Sequence, residues 1–321
     1  MQNRRIGIAP WGVAALVLCS SSTVWAQVKL EYKFPEGRKL VYKTTSATHQ
    51  ILTIMGNPIE TESKETIITS RTVGKKRSDA SLPIEEKFES LTVDLSLPGG
   101  ISVAYDSKEA NGKIDHPELA FLSDAYKVIS QIAYTVVLDD QKKVKAVEGT
   151  EKLLEKADKL NEMVKSSIRS RLEASKLRQQ FEQTHGNLPD VLVRRGEPWE
   201  RSETVDIGSG QTLTFRRKYE YLGPEKRGDA TVDKIAVTTT DVSYAMDANA
   251  PSPLKVTKSD LKVEEGDGEI LFDRNGGFVV SSKGKTRIKG TMTFSAGGQE
   301  LPPSDLDLTI DMSMELVEPA Q

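Results

Sequence analysis

The segment from Ser107 to Glu118 has the spacing of a calcium-binding loop. It carries oxygen-bearing side chains at several positions that such loops use, and a glycine where the loop turns sharply. The candidate ligands are Glu109, Asn111, Asp115 and Glu118. Two features weigh against calcium: Ser107 stands where these loops have Asp, and residues 101–105 alternate like a strand. We therefore favour a polar turn in which Asp115 caps a short helix.

The three histidines are spaced too irregularly to predict a metal site. His49, His116 and His185 lie far apart, and no His-x-x-x-His pair offers two zinc ligands on one helical face. Their surroundings favour structural roles. His49 lies in a Thr-rich strand, His116 precedes a proline at a helix start, and His185 lies where a helix C-terminus favours a cation.

Motifs for covalent and phosphate chemistry are absent or incomplete. The chain has no Gly-x-Ser-x-Gly, Gly-x-x-x-x-Gly-Lys or Gly-x-Gly-x-x-Gly motif. Ser-x-x-Lys occurs at 252–255 and 259–262, but the accompanying Ser-Asp-Asn and Lys-Thr-Gly motifs are missing. Paired catalytic carboxylates cannot be recognised, because their separation is a property of the folded chain. The sequence thus predicts no catalytic residue, no cofactor and no metal.

Residues 1–26 have the pattern of a secretory signal peptide. Arg4 and Arg5 precede an apolar stretch too short to span a bilayer, and Val24-Trp25-Ala26 resembles a cleavage site. The only cysteine, Cys19, lies in this segment, and Leu18 before it disfavours lipidation. We expect a periplasmic or extracellular protein that is not transmembrane after cleavage.

The mature chain has a composition that excludes several function classes. Without Cys19 it can form no disulfide, cysteine–zinc site or iron–sulfur cluster. The signal segment contains two of the 44 basic residues and none of the 47 acidic ones. The exported chain is therefore acidic, which disfavours nucleic-acid binding.

Alternating apolar and polar residues predict that most of the mature chain is β structure. From Leu306 to Leu316 every second residue is apolar and the others are polar or charged, which indicates a strand with one buried face. Glycine-containing turns near Gly56, Gly99, Gly276 and Gly297 favour antiparallel neighbours. Two helical patterns interrupt the strands: one from Asp115 to about 129, and a longer one from Thr150 to about 184 that changes its apolar face near 171–175.

We predict a mainly β (α+β) fold: a curved antiparallel sheet or half-barrel with a short helix and one long helix packed on it. Residues 27–321 would form a single domain, with strand-rich halves at about 27–147 and 196–321 joined by the helical segment 148–190. A two-domain arrangement with one β unit in each half is the alternative.

Several short motifs occur in an order that resembles a known family. They are Tyr105-Asp106-Ser107, Val137-Leu138-Asp139-Asp140, Val144 to Gly149, Gly196-Glu197-Pro198-Trp199 and Gly268 to Asp273. This order resembles an uncharacterised family of exported bacterial proteins, a domain of unknown function, over nearly all of the mature chain. The resemblance implies no activity, cofactor or catalytic residue. The predicted architecture is also similar to the half-barrel of periplasmic lipoprotein carriers, which says little about function.

Three functional hypotheses follow. The first is a non-enzymatic cell-envelope protein that binds a lipid, another apolar ligand or an envelope protein, because the strands and the helix have one-sided apolar faces. The second is a structural or interaction module with a filled core. The third is a hydrolase with a site of scattered Asp, Glu and His residues, which would need a cleft with perturbed carboxyl pKa values. Trp199, the last tryptophan after cleavage, is predicted to anchor the core.

Overall fold

The computed structural model describes residues 27–109, 114, 116–208, 210–247 and 254–318. The predicted signal peptide, with Cys19, lies outside the described residues. The described chain forms the strands β1 (Lys39–Ile54), β2 (Asn57–Val73), β3 (Leu82–Leu97), β4 (Ile101–Asp106), β5 (Ala133–Leu138), β6 (Val144–Glu148), β7 (Pro198–Gly208), β8 (Gln211–Arg227), β9 (Ala230–Met246), β10 (Leu254–Asp273), β11 (Phe278–Ala296), β12 (Gln299–Glu300) and β13 (Ser304–Glu318). The turns fall where the glycine-containing motifs predicted them.

All of these strands belong to one antiparallel sheet that does not close into a barrel. Their order is β6-β5-β3-β2-β1-β13-β11-β10-β9-β8-β7, with β4 beside β3 and β12 beside β11. The last strand, β13, pairs with β1 on one side and with β11 on the other, so it joins the strands of the two halves. The prediction of a mainly antiparallel β fold is confirmed.

The sheet has two chemically different faces, as the alternation in β13 predicted. Leu306 and Leu308 lie opposite Leu52 and Gln50 of β1, on the face that we call inner. The residues between them, such as Asp307, point to the outer face. Burial is uneven along β13: Leu306 is 8% exposed, whereas Met312 is 48% exposed.

The sheet divides along the boundary between β9 and β10. These strands pair only between residues 233–238 and 267–272. At the end of this ladder a Cβ atom on Gly266 would lie 2.5 Å from the carbonyl oxygen of Thr239, so glycine permits the close approach. Beyond it, apolar residues of β8 and β9 pack against those of β10, β11 and β13 to form a core cluster: Leu213, Phe215, Val242, Leu261, Ile288, Met292 and Leu306.

The predicted long helix is three helices, α2 (Glu151–Ala157), α3 (Glu162–Arg171) and α4 (Ala174–His185). The first break is explained by Asn161, whose side-chain oxygen accepts a hydrogen bond from the Val164 amide at 3.0 Å and so caps a new helix. The second break falls where the apolar stripe was predicted to change face.

The shorter predicted helix ends where expected but begins differently. It is α1 (Ala120–Ile129), preceded by a 3-10 turn over Pro117–Leu119. The predicted cap, Asp115, lies outside the described residues, and His116 occupies the cap position of the turn without a side-chain capping bond. Helices α1, α2 and α3 pack through a shared apolar cluster on inner-face side chains of β3 and β5.

Helix α4 lies between β6 and β7, the two outermost strands of the sheet. It contacts β6, and Lys176 at its start forms a salt bridge with Asp206 of β7. After its end, the carbonyl oxygen of Asn187 accepts a hydrogen bond from Trp199 Nε1 at 2.8 Å. Trp199 is half-buried and stacks on Tyr219 of the core. Helix α4 therefore packs on the inner face beside β6, through Phe181, and reaches β7 through a salt bridge.

The segment before β1 crosses the inner face of the sheet. Val28 forms a β-bridge with Val193, and the Lys33 amide donates a hydrogen bond to the Gly277 carbonyl oxygen at 3.0 Å. Between these contacts Leu30 is buried against the aromatic and aliphatic side chains of β8–β11. Residues 27–38 and α4 therefore connect the two halves of the sheet from the inside.

Candidate functional site

The structure leaves the calcium loop as a prediction. Asn111 and Asp115 lie outside the described residues, and Glu109 and Glu118 are exposed. Ser107, the residue that departs from the calcium pattern, has a structural contact instead. Its Oγ accepts a hydrogen bond from the Leu91 amide of β3 at 2.8 Å, which anchors the start of the turn.

The three histidines have different partners. His49 Nε2 lies 2.7 Å from Glu60 Oε1 on the outer face, and His116 Nδ1 lies 3.4 Å from Glu118 Oε1. His185 is buried at the end of α4, where it was predicted to complement the helix dipole. The structure gives it a different role, because burial and the nearby Arg71 cation lower the pKa of its imidazole well below 6.5. It is therefore neutral at the end of the helix.

A group of polar side chains on the inner face is formed by Tyr32, Arg71, Glu86 and His185, which we call the buried cluster. Arg71 Nε donates to Glu86 Oε1, and Arg71 also lies 2.9 Å from His185 Nε2. His185 Nδ1 lies 2.8 Å from the Phe181 carbonyl oxygen. Nδ1 therefore carries the proton, and Nε2 accepts from Arg71.

The surroundings of the buried cluster exclude solvent. The rings of Phe181 and His185 stack at 4.0 Å, and the ring of Tyr32 meets His185 edge-on at 4.8 Å. Tyr32 Oη donates to the Thr184 carbonyl oxygen at 3.2 Å. The cavity beside the cluster has a volume of only about 10 Å³. A space of this size holds at most one water molecule, and the cluster connects β2, β3, α4 and the segment before β1.

A second buried charge lies in the other half of the sheet. Asp233 of β9 has a side chain only 3% exposed and makes two hydrogen bonds with Arg274, at 2.7 and 2.8 Å. Tyr221 Oη donates to the same carboxylate at 2.6 Å. The Asp233 carboxylate thus has its hydrogen-bond donors, Arg274 and Tyr221, within the protein, which indicates a structural ion pair.

The larger cavity is an open groove of about 450 Å³ that crosses β1, β13, β11 and β10. We call it the central groove; its lining residues are Thr45, Ala47, Asp267, Gly268, Lys283, Gly284, Lys285, Asp311, Met312 and Ser313. The register explains its shape. Thr45, Ser313 and Lys283 form one row of directly opposed residues, and Ala47, Asp311 and Lys285 form the next on the same, outer face.

The centre of the groove lacks bulky outward side chains. Gly268, Gly284 and Met312 belong to the row between the two walls and contribute to the floor. At the β1 end the walls are no larger than Thr45 and Ala47. Small residues in two neighbouring rows therefore leave the space that forms the groove.

The two lysines of the groove are paired with acids beside it. Lys283 Nζ lies 3.0 Å from Glu269 Oε1, and Lys285 Nζ lies 3.1 Å from Glu265 Oε2. Burial raises the pKa of Glu269, but hydrogen bonds from Lys283 and Lys234 outweigh it, and the pKa is lowered overall. Glu269 is therefore ionised at neutral pH, and the rim combines these lysine–glutamate pairs with the carboxylates of Asp267 and Asp311.

Sequence reasoning did not identify the groove or the buried cluster. The groove residues are small or alternate in the normal way for a solvent-facing strand, so no sequence signal distinguishes them. Arg71 was also missed, although its place in a run of Thr, Ile and Ser residues is a weak sign of a charge on a buried face. None of the described helices is long and apolar enough to span a membrane.

Comparison with known proteins identifies the family. Residues 79–279 match a family of unknown function, DUF6263. The chain belongs to this family. The resemblance to an uncharacterised family is confirmed, and the matched span runs from just before β3 into β11. It includes Glu86 and His185 but not Arg71 or the β1 and β13 walls of the groove. No curated protein sequence matches the chain.

Solved structures show only distant likeness. A structure of lipid–protein interactions in lipovitellin aligns with 90% of this chain and 26% of its own at 9% identity and a TM-score of 0.44. This chain thus spans about a quarter of that protein. A putative exported protein with a YmcC-like fold from Bacteroides fragilis aligns over 87% and 97% at 8% identity and a TM-score of 0.20.

A putative outer membrane lipoprotein-sorting protein domain from Vibrio parahaemolyticus aligns over 83% of both chains at 10% identity and a TM-score of 0.10. At these values the likenesses do not extend to function. The functional assignment has to rest on the residues of this chain.

Proposed function

We propose that this protein is an exported, non-enzymatic protein of the cell envelope that binds an apolar ligand, such as a lipid chain, in the central groove. The groove's volume of about 450 Å³ carries the proposal. This size lies within the range of small-molecule sites, about 300–1,000 Å³. Export is inferred from the signal-peptide pattern of residues 1–26, and we infer that residues 27–321 act as one domain.

The chemistry of the groove favours an uncharged ligand. Lys283 and Lys285 already have carboxylate partners, so a charged ligand would have to compete with Glu269 and Glu265 for them. The floor, by contrast, is formed at Gly268 and Gly284, and the β1 end of the wall is no larger than Thr45 and Ala47. A chain-like apolar molecule would cover this floor and leave the rim ion pairs in water.

A second candidate is supported by the inner face. A module with a filled core that binds a protein partner is favoured by the packed core clusters and by the cavity of about 10 Å³ beside the buried cluster. In this case the outer face would be a contact surface for a partner, and no small ligand would be present.

The two candidates are separated by the content of the purified protein. The mature protein is prepared from an envelope fraction without detergent, extracted with organic solvent and analysed by mass spectrometry. A stoichiometric apolar molecule supports the first proposal and identifies the ligand class. Its absence, together with no binding of a fluorescent fatty acid, supports the filled-core module.

A groove-filling variant locates the site. Ala47→Tyr enlarges one wall of the groove by a ring, whereas Thr53→Tyr places the same ring on the same face of β1 outside it. We expect Ala47→Tyr to lose the extracted molecule and to bind the fatty acid at least about tenfold more weakly, since the ring takes up space inside the groove. Retention in Ala47→Tyr with loss in Thr53→Tyr would contradict the assignment.

A further inference from the structure

Three potential metal ligands lie together on the outer face of the β1–β2 hairpin. They are His49, Glu60 and Glu62, which we call the exposed triad. Within the described residues this is the one group of three whose ligand atoms all lie within 4.8 Å of one another. None of the sequence motifs pointed to it, because the three residues come from two strands.

The strand register brings the exposed triad together. His49 lies directly opposite Glu62 in the β1–β2 ladder, and Glu60 lies opposite Ile51, two residues further along the same face. The hairpin strands are 16 and 17 residues long, and β1 is also paired with β13 on its other side. The backbone positions of the three ligands are therefore held by a continuous ladder.

The distances suit a metal ion. His49 Nε2 lies 2.7 Å from Glu60 Oε1 and 3.9 Å from Glu62 Oε1. Two ligand atoms on one tetrahedral zinc ion are about 3.3 Å apart, given metal–ligand bonds of about 2.0–2.2 Å. Small side-chain rotations would equalise the two distances. The imidazole proton between His49 and Glu60 would be replaced by the metal.

We propose that the exposed triad binds a divalent transition-metal ion of the Zn²⁺ type. One imidazole and two carboxylates are ligands that zinc accepts, whereas calcium and magnesium prefer oxygen ligands alone. The ion pairs of Glu60 and Glu62 in the described chain are with His49, so both carboxylates are directed at the metal position. With three protein ligands, the remaining coordination positions would be filled by water or by a ligand from solution.

The test is calorimetric titration of the mature protein with ZnCl₂, followed by NMR of the imidazole signals. We expect one Zn²⁺ per chain and a saturable shift of the His49 signal, with the signals of His116 and His185 unchanged. His49→Gln and the double variant E60Q/E62Q should each weaken binding by at least about tenfold. Glu60 and Glu62 are exposed and His49 is half-buried, and circular dichroism of the variants verifies their fold.

His116→Gln is the matched control, because His116 and Glu118 form another exposed His–carboxylate pair. It should leave Zn²⁺ binding unchanged, and CaCl₂ should not displace Zn²⁺ from the site. The proposal is overturned if His49→Gln binds Zn²⁺ as tightly as the wild type, if the heat reports only several weak sites, or if Ca²⁺ competes equally. None of these results depends on the central groove.

Discussion

The buried cluster and the exposed triad each contain a histidine and a glutamate, and they lie on opposite faces of strand β2. Each contains a cross-strand pair: Arg71 lies opposite Glu86 on the inner face, and Glu62 lies opposite His49 on the outer face. On the inner face, α4 and residues 27–38 cover the pair and exclude water. On the outer face the side chains remain in solvent. Burial therefore decides whether a histidine and a carboxylate stabilise the fold or remain available to a ligand.

The energetic consequences of the two settings should differ greatly. In the buried cluster the cation cannot be rehydrated when its partner is removed, so the full desolvation cost appears as lost stability. In the exposed triad, water replaces a lost partner at little cost. Four predictions test this contrast.

The largest effect is expected for Glu86→Gln. The change leaves the Arg71 charge on the inner face without its carboxylate, where the two side chains are only 17% and 11% exposed. We expect the free energy of unfolding to fall by about 3 kcal/mol, measured by urea denaturation at pH 7. Glu60→Gln is the control on the outer face. Equal losses in the two variants would refute the contrast.

The next effect is a pH dependence from His185. Its folded-state pKa is depressed below 6.5, so the unfolded chain takes up the proton first when the pH falls. The stabilisation from this group is complete above pH 6.5 and is lost below it. The charged and titratable groups around it are Arg71, Glu86 and Tyr32.

Between pH 7 and pH 5 we expect His185 to account for a loss of up to about 2 kcal/mol of unfolding free energy. His185→Phe preserves the stacking on Phe181 but cannot be protonated. Its unfolding free energy should therefore change less between the two pH values than that of the wild type. A variant with the same pH dependence as the wild type would show that His185 is not the group responsible.

A smaller effect is expected for Tyr32→Phe. The hydroxyl donates to the Thr184 carbonyl oxygen and lies 3.1 Å from Asn187 Oδ1, so its removal leaves these acceptors at the end of α4 without a donor. The loss should be about 1 kcal/mol by urea denaturation. Tyr244→Phe serves as the comparison. The Tyr244 hydroxyl donates to the partly exposed Gln211 side chain, so its removal should lower the unfolding free energy by less. A larger loss in Tyr244→Phe than in Tyr32→Phe would mean that the segment before β1 contributes little to stability.

The smallest effect is expected for His49→Gln in the absence of metal. Substitutions of exposed side chains usually change the unfolding free energy by no more than about 0.5 kcal/mol. We expect the melting temperature of His49→Gln without zinc to match that of the wild type. Zinc should raise the melting temperature of the wild type but not that of the variant. A large loss of stability without metal would show that the exposed triad is part of the fold rather than a ligand site.

Much of the architecture could be read from the residues. The alternation from Leu306 to Leu316 predicted β13 and its inner face, and the glycine-containing turns predicted the antiparallel hairpins. Both signals are local, because side-chain alternation and turn chemistry depend on a few neighbouring residues. The long helix was predicted as one element because its apolar pattern is nearly continuous, while the cap at Asn161 that divides it is a single side-chain contact.

The candidate sites could not be predicted in the same way. The central groove combines small residues from four strands, and the exposed triad combines His49 with residues of the neighbouring strand. The buried cluster joins Arg71 of β2 with His185, more than a hundred residues later. These groupings depend on register and on the order of strands in the sheet, and a one-residue change of register would move each side chain to the other face.

The sequence alone therefore determined most of the strands, the antiparallel pairing of neighbouring strands and the resemblance to the family to which the chain belongs. Only the tertiary structure decided that β13 pairs with β1, that α4 packs on the inner face beside β6, and which histidine lies against Arg71. The physical reason is the range of the interactions. Periodicity and turns act between nearby residues, whereas burial and charge pairing depend on which distant segments share a face.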